Sequence, residues 1–364
     1  MKKKIVLVGY YGSNIGDVAM LVAFIRVFRE LGVECVVYSY ADNAGSSYVD
    51  VEAVDVKSIK DGGRLRGLVS FLRDCLSADA VAWGGGTCFM DEGGEGGVKY
   101  FALARILGVK VMYLGVGVGK ALKRKTHLMT RLASAISTVI YVRDERSKDY
   151  FQEKGGRGRV LLGPDPVYGL RTWLLNTSKS QALVKGLGRY LLVSYRCLDE
   201  FVNEETALQY LKECSSAISQ AVAQGGFDHV VLMDADSSVD AKDSRFIQRE
   251  ISGAVNVTYL SNMNFSEQIS LISAARAVLT GRLHVGVMSH MLSVPFALLN
   301  YAPKNRAFLN AVSCDIASLE YSDLSKVDLP LLFDMVEARM KEVSPSIVGD
   351  MESGFVRVLR EALV

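Results

Sequence analysis

The chain has 364 residues, 42 of them basic and 40 acidic, a formal net charge of +2 and 49% apolar residues. So even a balance argues against a general nucleic-acid binder, and no apolar run approaches the ~20 residues that cross a bilayer. The length is too great for one core and predicts two domains.

In chain order, the opening "MKKKIVLVGYYGSNIGD" starts basic, but its apolar run stops at four residues, so 4–9 read as a first strand and not as a signal peptide. An amphipathic helix follows over 15–31, then a strand over 34–40, a short strand over 51–56 and a helix over 63–76. A strand runs into three glycines over 80–86, and a helix over 98–107, a strand over 110–117, a helix over 125–136 and a strand over 138–144 complete the first series. Apolar runs without alternation mark parallel strands covered on both faces. The periodicity lapses over 163–188, which reads as an interdomain linker. A second series then sets strands at 189–195, 229–236, 255–260, 277–281 and 295–301 between helices near 203–223, 240–251, 265–275 and after 282. Residues 329–363 read as helical. The expected architecture is two doubly wound parallel-sheet α/β domains, 1–172 and 188–320, with an interdomain cleft and a C-terminal segment, 321–364, that packs back on the first domain. Six cysteines (Cys35, Cys75, Cys88, Cys197, Cys214 and Cys314) stand apart with no CxxC pair. That predicts reduced, buried thiols and a cytoplasmic location, not disulfides or zinc.

In open α/β sheets ligands bind beyond the carboxyl ends of strands, and four such places carry polar or glycine-rich sequence. In "GYYGSNIGD", Gly9, Gly12 and Gly16 are spaced GxxGxxxG, not as a dinucleotide fingerprint. Asn14 and Asp17 there are either a helix cap and a dipole partner or contacts to a polyol or phosphate. In "WGGGTCFMDEGGEGG", Gly84, Gly85 and Gly86 either shape a tight turn or lie against a ligand, and the "EGGEGG" beyond them looks like a lid. Asp91 and Glu92 lack metal-ligand spacing, so no metal is expected. "LGVGVGKALKRK" fails as a phosphate-binding loop, because Leu114 stands where the first glycine belongs and Ala121 follows Lys120. Its Lys120, Lys123, Arg124 and Lys125 read as a solvated face, or in a minority reading as a contact to anionic lipid or pyrophosphate at a membrane surface. In "YVRDERS", Arg143 follows a strand and either enters the cleft or pairs with Asp144 or Glu145.

The segment "GRLHVGVMSHMLSVPFALLNYAPK" holds two of the four histidines. Arg282 and His284 occupy a helix start after one strand and Lys304 follows the next, so successive loops present two cations and an imidazole on one rim. A lone histidine there is usually structural, whereas one flanked by cations suits an anion site with a proton donor. His290 reads as packed or on the surface.

Taken in order, "GYYGSNIGDVAML", "AWGGGTCF", "YLGVGVGK", "YVRDERS", "GPDPVY" and "GRLHVGVMSHMLSVPFALLNYAPK" resemble the motifs of polysaccharide pyruvyltransferases over residues 4–310. The resemblance implies a GT-B-like fold, phosphoenolpyruvate as donor substrate with no further cofactor, and transfer of a pyruvyl group onto two hydroxyls of a sugar or lipid-linked sugar to give a ketal. By position, Arg143, Arg282, His284 and Lys304 match donor-binding residues. Gly12, Asn14, Asp17, Gly84, Gly85 and Gly86 match segments lining the acceptor side. His284 is the expected general acid, Arg282 a charge stabiliser, and Asp17 a residue orienting or deprotonating the acceptor. The family implies envelope or exopolysaccharide assembly on the cytoplasmic side of the membrane; the minority reading of the Lys120–Lys125 run would add peripheral contact with its inner face. Ser13 departs from the family pattern, and Ser293 replaces the usual glycine before Val-Pro. Two alternatives are a GT-B nucleotide-sugar glycosyltransferase and a non-catalytic glycan- or anion-binding module.

Overall fold

A computed structural model describes residues 3–41, 55–60, 63–91, 94–153, 158–177 and 184–364. Contacts divide the chain into a first unit, Met1–Gly12, Asp17–Leu170 and Asp350–Val364, and a second, Ser13–Gly16 and Arg171–Gly349. The second unit thus extends beyond the expected 188–320 at both ends.

The first unit contains β1 (Lys4–Gly9), most of α1 (Ile15–Glu30), β2 (Glu34–Ser39), β3 (Val56–Ser58), α2 (Arg64–Leu76), β4 (Ala80–Gly84), β5 (Thr87–Cys88) and α3 (Val98–Ile106). It continues through β6 (Lys110–Val118), α4 (Arg124–Ile136), β7 (Val139–Val142), α5 (Glu145–Glu153) and β8 (Arg159–Leu162). The strand order is β3-β2-β1-β4-β6-β7-β8, with β5 paired to β6 off that path. Every described strand pair is parallel. The runs KIVLVG and AVAWG are buried almost throughout, which is why they lack alternation. Of the short strand expected over 51–56, residues 51–54 lie outside the described residues and β3 begins at Val56.

The second unit contains α6 (Arg171–Thr177), β9 (Tyr190–Ser194), α7 (Glu204–Ala223), β10 (His229–Met233), α8 (Ser237–Ile251), β11 (Val257–Leu260), α9 (Phe265–Ala274) and β12 (Ala277–Thr280). After these come α10 (Leu283–Met291), β13 (Phe296–Asn300), α11 (Pro303–Ala311), β14 (Ser318–Glu320) and the part of α12 (Leu329–Ala362) up to Gly349. Its order is β11-β10-β9-β12-β13-β14, again parallel in every pair. The chain winds outward from β9 through β10 to β11, then restarts on the other side of β9 at β12. That reversal is a topological switch point, where a loop leaves on each side and opens a crevice at the carboxyl ends.

The expected linker is more ordered than its composition suggests. Residues Pro166–Leu170 form a 3-10 turn and α6 follows directly, with Tyr168, Leu170 and Leu174 all buried; 178–183 lie outside the described residues. The expected helical segment 321–364 begins instead with a 3-10 turn, Tyr321–Lys326, and its long helix is shared. Leu329 and Phe333 join the second unit's core, whereas Phe355 packs edge-on to Phe24 and beside Tyr141 in the first. Among the described residues no helix is long and apolar enough to cross a membrane. All six cysteines are free thiols, five of them buried.

Ser293 ends α10 with φ +58°, and its amide donates to the His290 carbonyl at 3.2 Å. This left-handed cap favours glycine, which explains the glycine expected there.

His290 is packed, not on the surface. It is fully buried, 2.9 Å from Ser344 Oγ through Nε2 and edge-on to Phe296 and Phe308. Burial pushes its pKa down to about 4 from 6.5. The folded state therefore binds fewer protons than the unfolded chain between those values, so stability is present above pH 6.5 and is lost as pH falls towards 4. The loss totals on the order of 3 kcal/mol. Unfolding free energies from urea titrations at pH 7.5 and pH 5 are expected to differ less for His290→Gln than for wild type, by about 2 kcal/mol; an equal difference in the two proteins would refute this assignment.

Candidate active site

At the switch point of the second unit, three neighbouring strands deliver cations. Arg196 follows β9, Arg282 follows β12 and Lys304 follows β13. Gly281 lets the first two approach, since a Cβ there would stand 2.8 Å from Arg196 Cβ. The Arg196 guanidinium lies 5.9 Å from the centre of the Tyr301 ring and 5.7 Å from that of Phe201. Lys304 Nζ lies 5.2 Å from the same Tyr301 ring. Tyr301 is thus the floor on which two cations meet, an arrangement favoured by the ring quadrupole. Burial pushes the Tyr301 phenol up, but Lys304, by charge and hydrogen bond, and then Arg196 and Arg282 outweigh it and hold it below 10.0. Acids accompany these cations: Arg196 Nη2 lies 3.8 Å from Glu200 Oε2, and Asp240 pairs with Arg282.

Arg282 is buried, and its Nε and Nη2 fork onto the Asp240 carboxylate of α8, with Nε···Oδ2 at 2.9 Å. Burial alone would lower its pKa, but Asp240 raises it above the usual guanidinium value and keeps it charged. The fork uses two of the three guanidinium nitrogens, so Asp240 orients Arg282 as well as neutralising part of its charge.

His284 is half-buried in the first turn of α10. Its ring occupies the space a side chain at Gly16 would take: a Cβ there would stand 2.0 Å from His284 Nδ1. The segment Ser13–Gly16 is fastened to the β10–α8 loop, with Ile15 N donating to Ala235 O at 2.8 Å and Ser13 Oγ to Asp236 Oδ1 at 2.7 Å. Ser13, the departure from the family pattern, thus has a definite task. Asn14 Oδ1 accepts from Gly16 N at 2.9 Å, as a helix cap does.

The first unit holds the other sequence-derived residues. Arg143 is half-buried, its side chain 7% exposed; its Nη1 donates to Asp165 Oδ2 at 2.7 Å and its Nη2 to Thr87 Oγ1 at 3.2 Å. It pairs with Asp165 of "GPDPVY", and Asp144 adds to the negative charge around it. Asp144 also accepts from Ser147 N at 2.8 Å as a helix cap. Burial would lower the Arg143 pKa, but Asp165 and then Asp144 outweigh it and hold it above the usual guanidinium value. Asp17 in the first turn of α1 adds to that negative surround. Gly85 and Gly86 have φ of +81° and +82°, and Gly117 N donates to Gly86 O at 2.9 Å. The tight turn that needs glycine is therefore present in the fold itself. Tyr11 Oη donates to Gly84 O at 3.1 Å, and a Cβ on Gly12 would stand 3.2 Å from Ala41 Cβ. Of the proposed lid, Glu92 and Gly93 lie outside the described residues. Among the described residues, no group of three His, Cys, Asp or Glu side chains could hold a metal ion.

Arg196, Tyr301 and Asp240 escaped the sequence reading. Arg196 carried a legible signal, a cation two residues after the apolar run "YLLVS", where strand ends meet ligands.

Two parallel-sheet α/β domains with cations at a strand-order reversal define a GT-B-like scaffold. Known structures share it: UDP-GlcNAc 2-epimerase from Neisseria meningitidis bound to UDP-GlcNAc (TM-score 0.64, 12% identity, 99% of each chain covered) and Anabaena HepE in complex with UDP and glucose (TM-score 0.66, 12% identity, 99% of each). A putative UDP-N-acetylglucosamine 2-epimerase from Listeria monocytogenes also matches (TM-score 0.66, 14% identity, 99% of this chain and 95% of that one). No curated protein matches in sequence. The family model for polysaccharide pyruvyl transferase matches residues 14–303, and the chain belongs to that family.

Proposed function

We propose that the protein transfers a pyruvyl group from phosphoenolpyruvate to two hydroxyls of a sugar, forming a cyclic ketal and releasing phosphate. The observation that carries this reading is the group Arg196, Arg282 and Lys304 around Tyr301, with His284 two residues from Arg282, in a member of this family. A small dianion with a carboxylate and a phosphate suits such a group, because Arg forks match planar oxyanions and Lys acts as a point charge.

In this mechanism protonated His284 delivers its proton to the donor methylene carbon while a sugar hydroxyl attacks C2 and loses its own proton to a base. The C2–O bond to phosphate then breaks with its electron pair going to phosphate. The second hydroxyl attacks C2 and gives up its proton, closing the ketal. Arg282, Lys304 and Arg196 stabilise the charge that builds on the departing phosphate. In the same reading Arg143 also serves the donor. Asp17 orients or deprotonates the acceptor, a sugar or lipid-linked sugar, beside Gly12, Asn14, Gly84, Gly85 and Gly86.

Calorimetric titration with phosphoenolpyruvate and, separately, UDP-GlcNAc tests the donor. Phosphoenolpyruvate is expected to bind, and Lys304→Ala or Arg196→Ala to weaken it roughly 10- to 100-fold, the range for hydrogen bonds to charged groups. Binding of the nucleotide sugar alone, the ligand class of the structural neighbours, would replace this reading with a glycosyltransferase. Donor binding without phosphate release across a panel of acceptor diols would leave a binding module.

A further inference from the structure

Three helices of the first unit carry a charge that the whole chain does not. α2, α3 and α4 pack in series, α2 on α3 and α3 on α4. Their sequences RLRGLVSFLRDCL, VKYFALARI and RKTHLMTRLASAI hold eight Arg or Lys and one acid, Asp74. That is a surplus of seven positive charges in a chain whose net charge is +2. Asp74 does little to cancel it outward, since Lys57 Nζ at 2.6 Å and Tyr38 Oη at 2.8 Å both donate to its carboxylate. Among the described residues Glu95 engages two of the eight, Lys99 and Lys125.

The same helices expose large aliphatic side chains. Leu65 is 75% exposed, Ile106 79% and Leu122, just ahead of α4, 72%; Val69, Leu128 and Leu132 are exposed too. Leu65 and Val69, like Leu128 and Leu132, are four residues apart and so share a helix face. Arg66, Arg105 and Arg131 each stand next to one of these aliphatic residues in sequence and are exposed. An aliphatic layer interleaved with cations is the composition of a surface that rests in the headgroup region of a membrane. A second copy of this chain would bring like charge against like charge. A nucleic-acid surface would offer aromatic platforms in place of leucine and isoleucine.

We propose that the α2–α3–α4 face docks on an anionic lipid surface, its leucine and isoleucine side chains entering the headgroup layer while its arginines and lysines meet lipid phosphates. The basic run Lys120–Lys125 lies at the edge of this face and so gains a role that a solvated stretch would not have.

Co-sedimentation of the full chain with vesicles tests this, using phosphatidylcholine alone and phosphatidylcholine mixed with phosphatidylglycerol, at low and at high salt. Binding to the anionic vesicles at low salt, weakened by salt and small on the neutral ones, is expected. Each cation removed is expected to weaken it about fivefold, so Arg105→Glu with Arg131→Glu loses at least the product of two such steps. Ile106→Ser with Leu128→Ser should weaken the binding that survives high salt. Lys212→Glu, an exposed reversal in the second unit, should leave both unchanged. Equal binding of wild type and the Arg105/Arg131 double variant, equal affinity for neutral vesicles, or tighter binding to duplex DNA or polyglutamate than to anionic vesicles would overturn the proposal. Sedimentation reads no catalysis, so its failure leaves the pyruvyl-transfer reading intact.

Discussion

Replacing His284 with glutamine is expected to lower acceptor-dependent phosphate release from phosphoenolpyruvate by about 10²–10⁴-fold, the usual contribution of a positioned general acid. Glutamine keeps the size and the hydrogen-bonding ends of the side chain but holds no transferable proton, so the loss should fall on kcat with little change in donor affinity. Gly16→Ala is expected to reproduce much of that loss without touching the imidazole chemically. The new methyl would lie 2.0 Å from Nδ1, far inside contact distance, so the ring must turn or the Ser13–Gly16 segment must shift. If both changes act through the position of one proton, the double variant is no worse than His284→Gln alone. Activity of His284→Gln within about tenfold of wild type would remove the histidine as the acid, and additive losses would give Gly16 a separate task.

The strand–helix alternation was legible because buried parallel strands such as "YLLVS" and "AVLT" have no polar positions to confuse with a loop. What stayed hidden was tertiary. Asp240 sits in "SSVDAKDSRFIQREI", a helix charged enough to pass for a solvated one, and only the fold shows that it is buried against Arg282 from another loop. Tyr301 reads as the last residue of an apolar strand; its role depends on Arg196, more than a hundred residues earlier. Asp165 was lost for a different reason. It lies where periodicity lapses, and β8 just before it is four residues long and only half-buried, too short for a pattern to emerge. The motif order identified the family, therefore, while Arg196 and the residues that aim Arg282 and Lys304 needed coordinates.

Removing the Asp240 carboxylate is expected to cost about 3–5 kcal/mol, because Arg282 would keep its charge in a buried place with no partner. That is a large share of the 5–15 kcal/mol that holds a typical domain folded, so Asp240→Ala should unfold the second unit at markedly lower urea. Loss of activity in that variant alone would therefore say nothing about the donor. The informative partner is Asp240→Leu combined with Arg282→Met, which removes both charges and refills the space with apolar groups. Such replacements of buried ion pairs are often neutral or stabilising, so the double variant should recover most of the lost stability while binding phosphoenolpyruvate at least tenfold more weakly than wild type. Recovery of stability together with wild-type donor affinity would make Arg282 a structural residue and leave the anion to Arg196 and Lys304. A folded, donor-blind double variant would instead establish that a buried pair, costly to assemble, is kept because Asp240 holds a charged guanidinium in the orientation the donor requires.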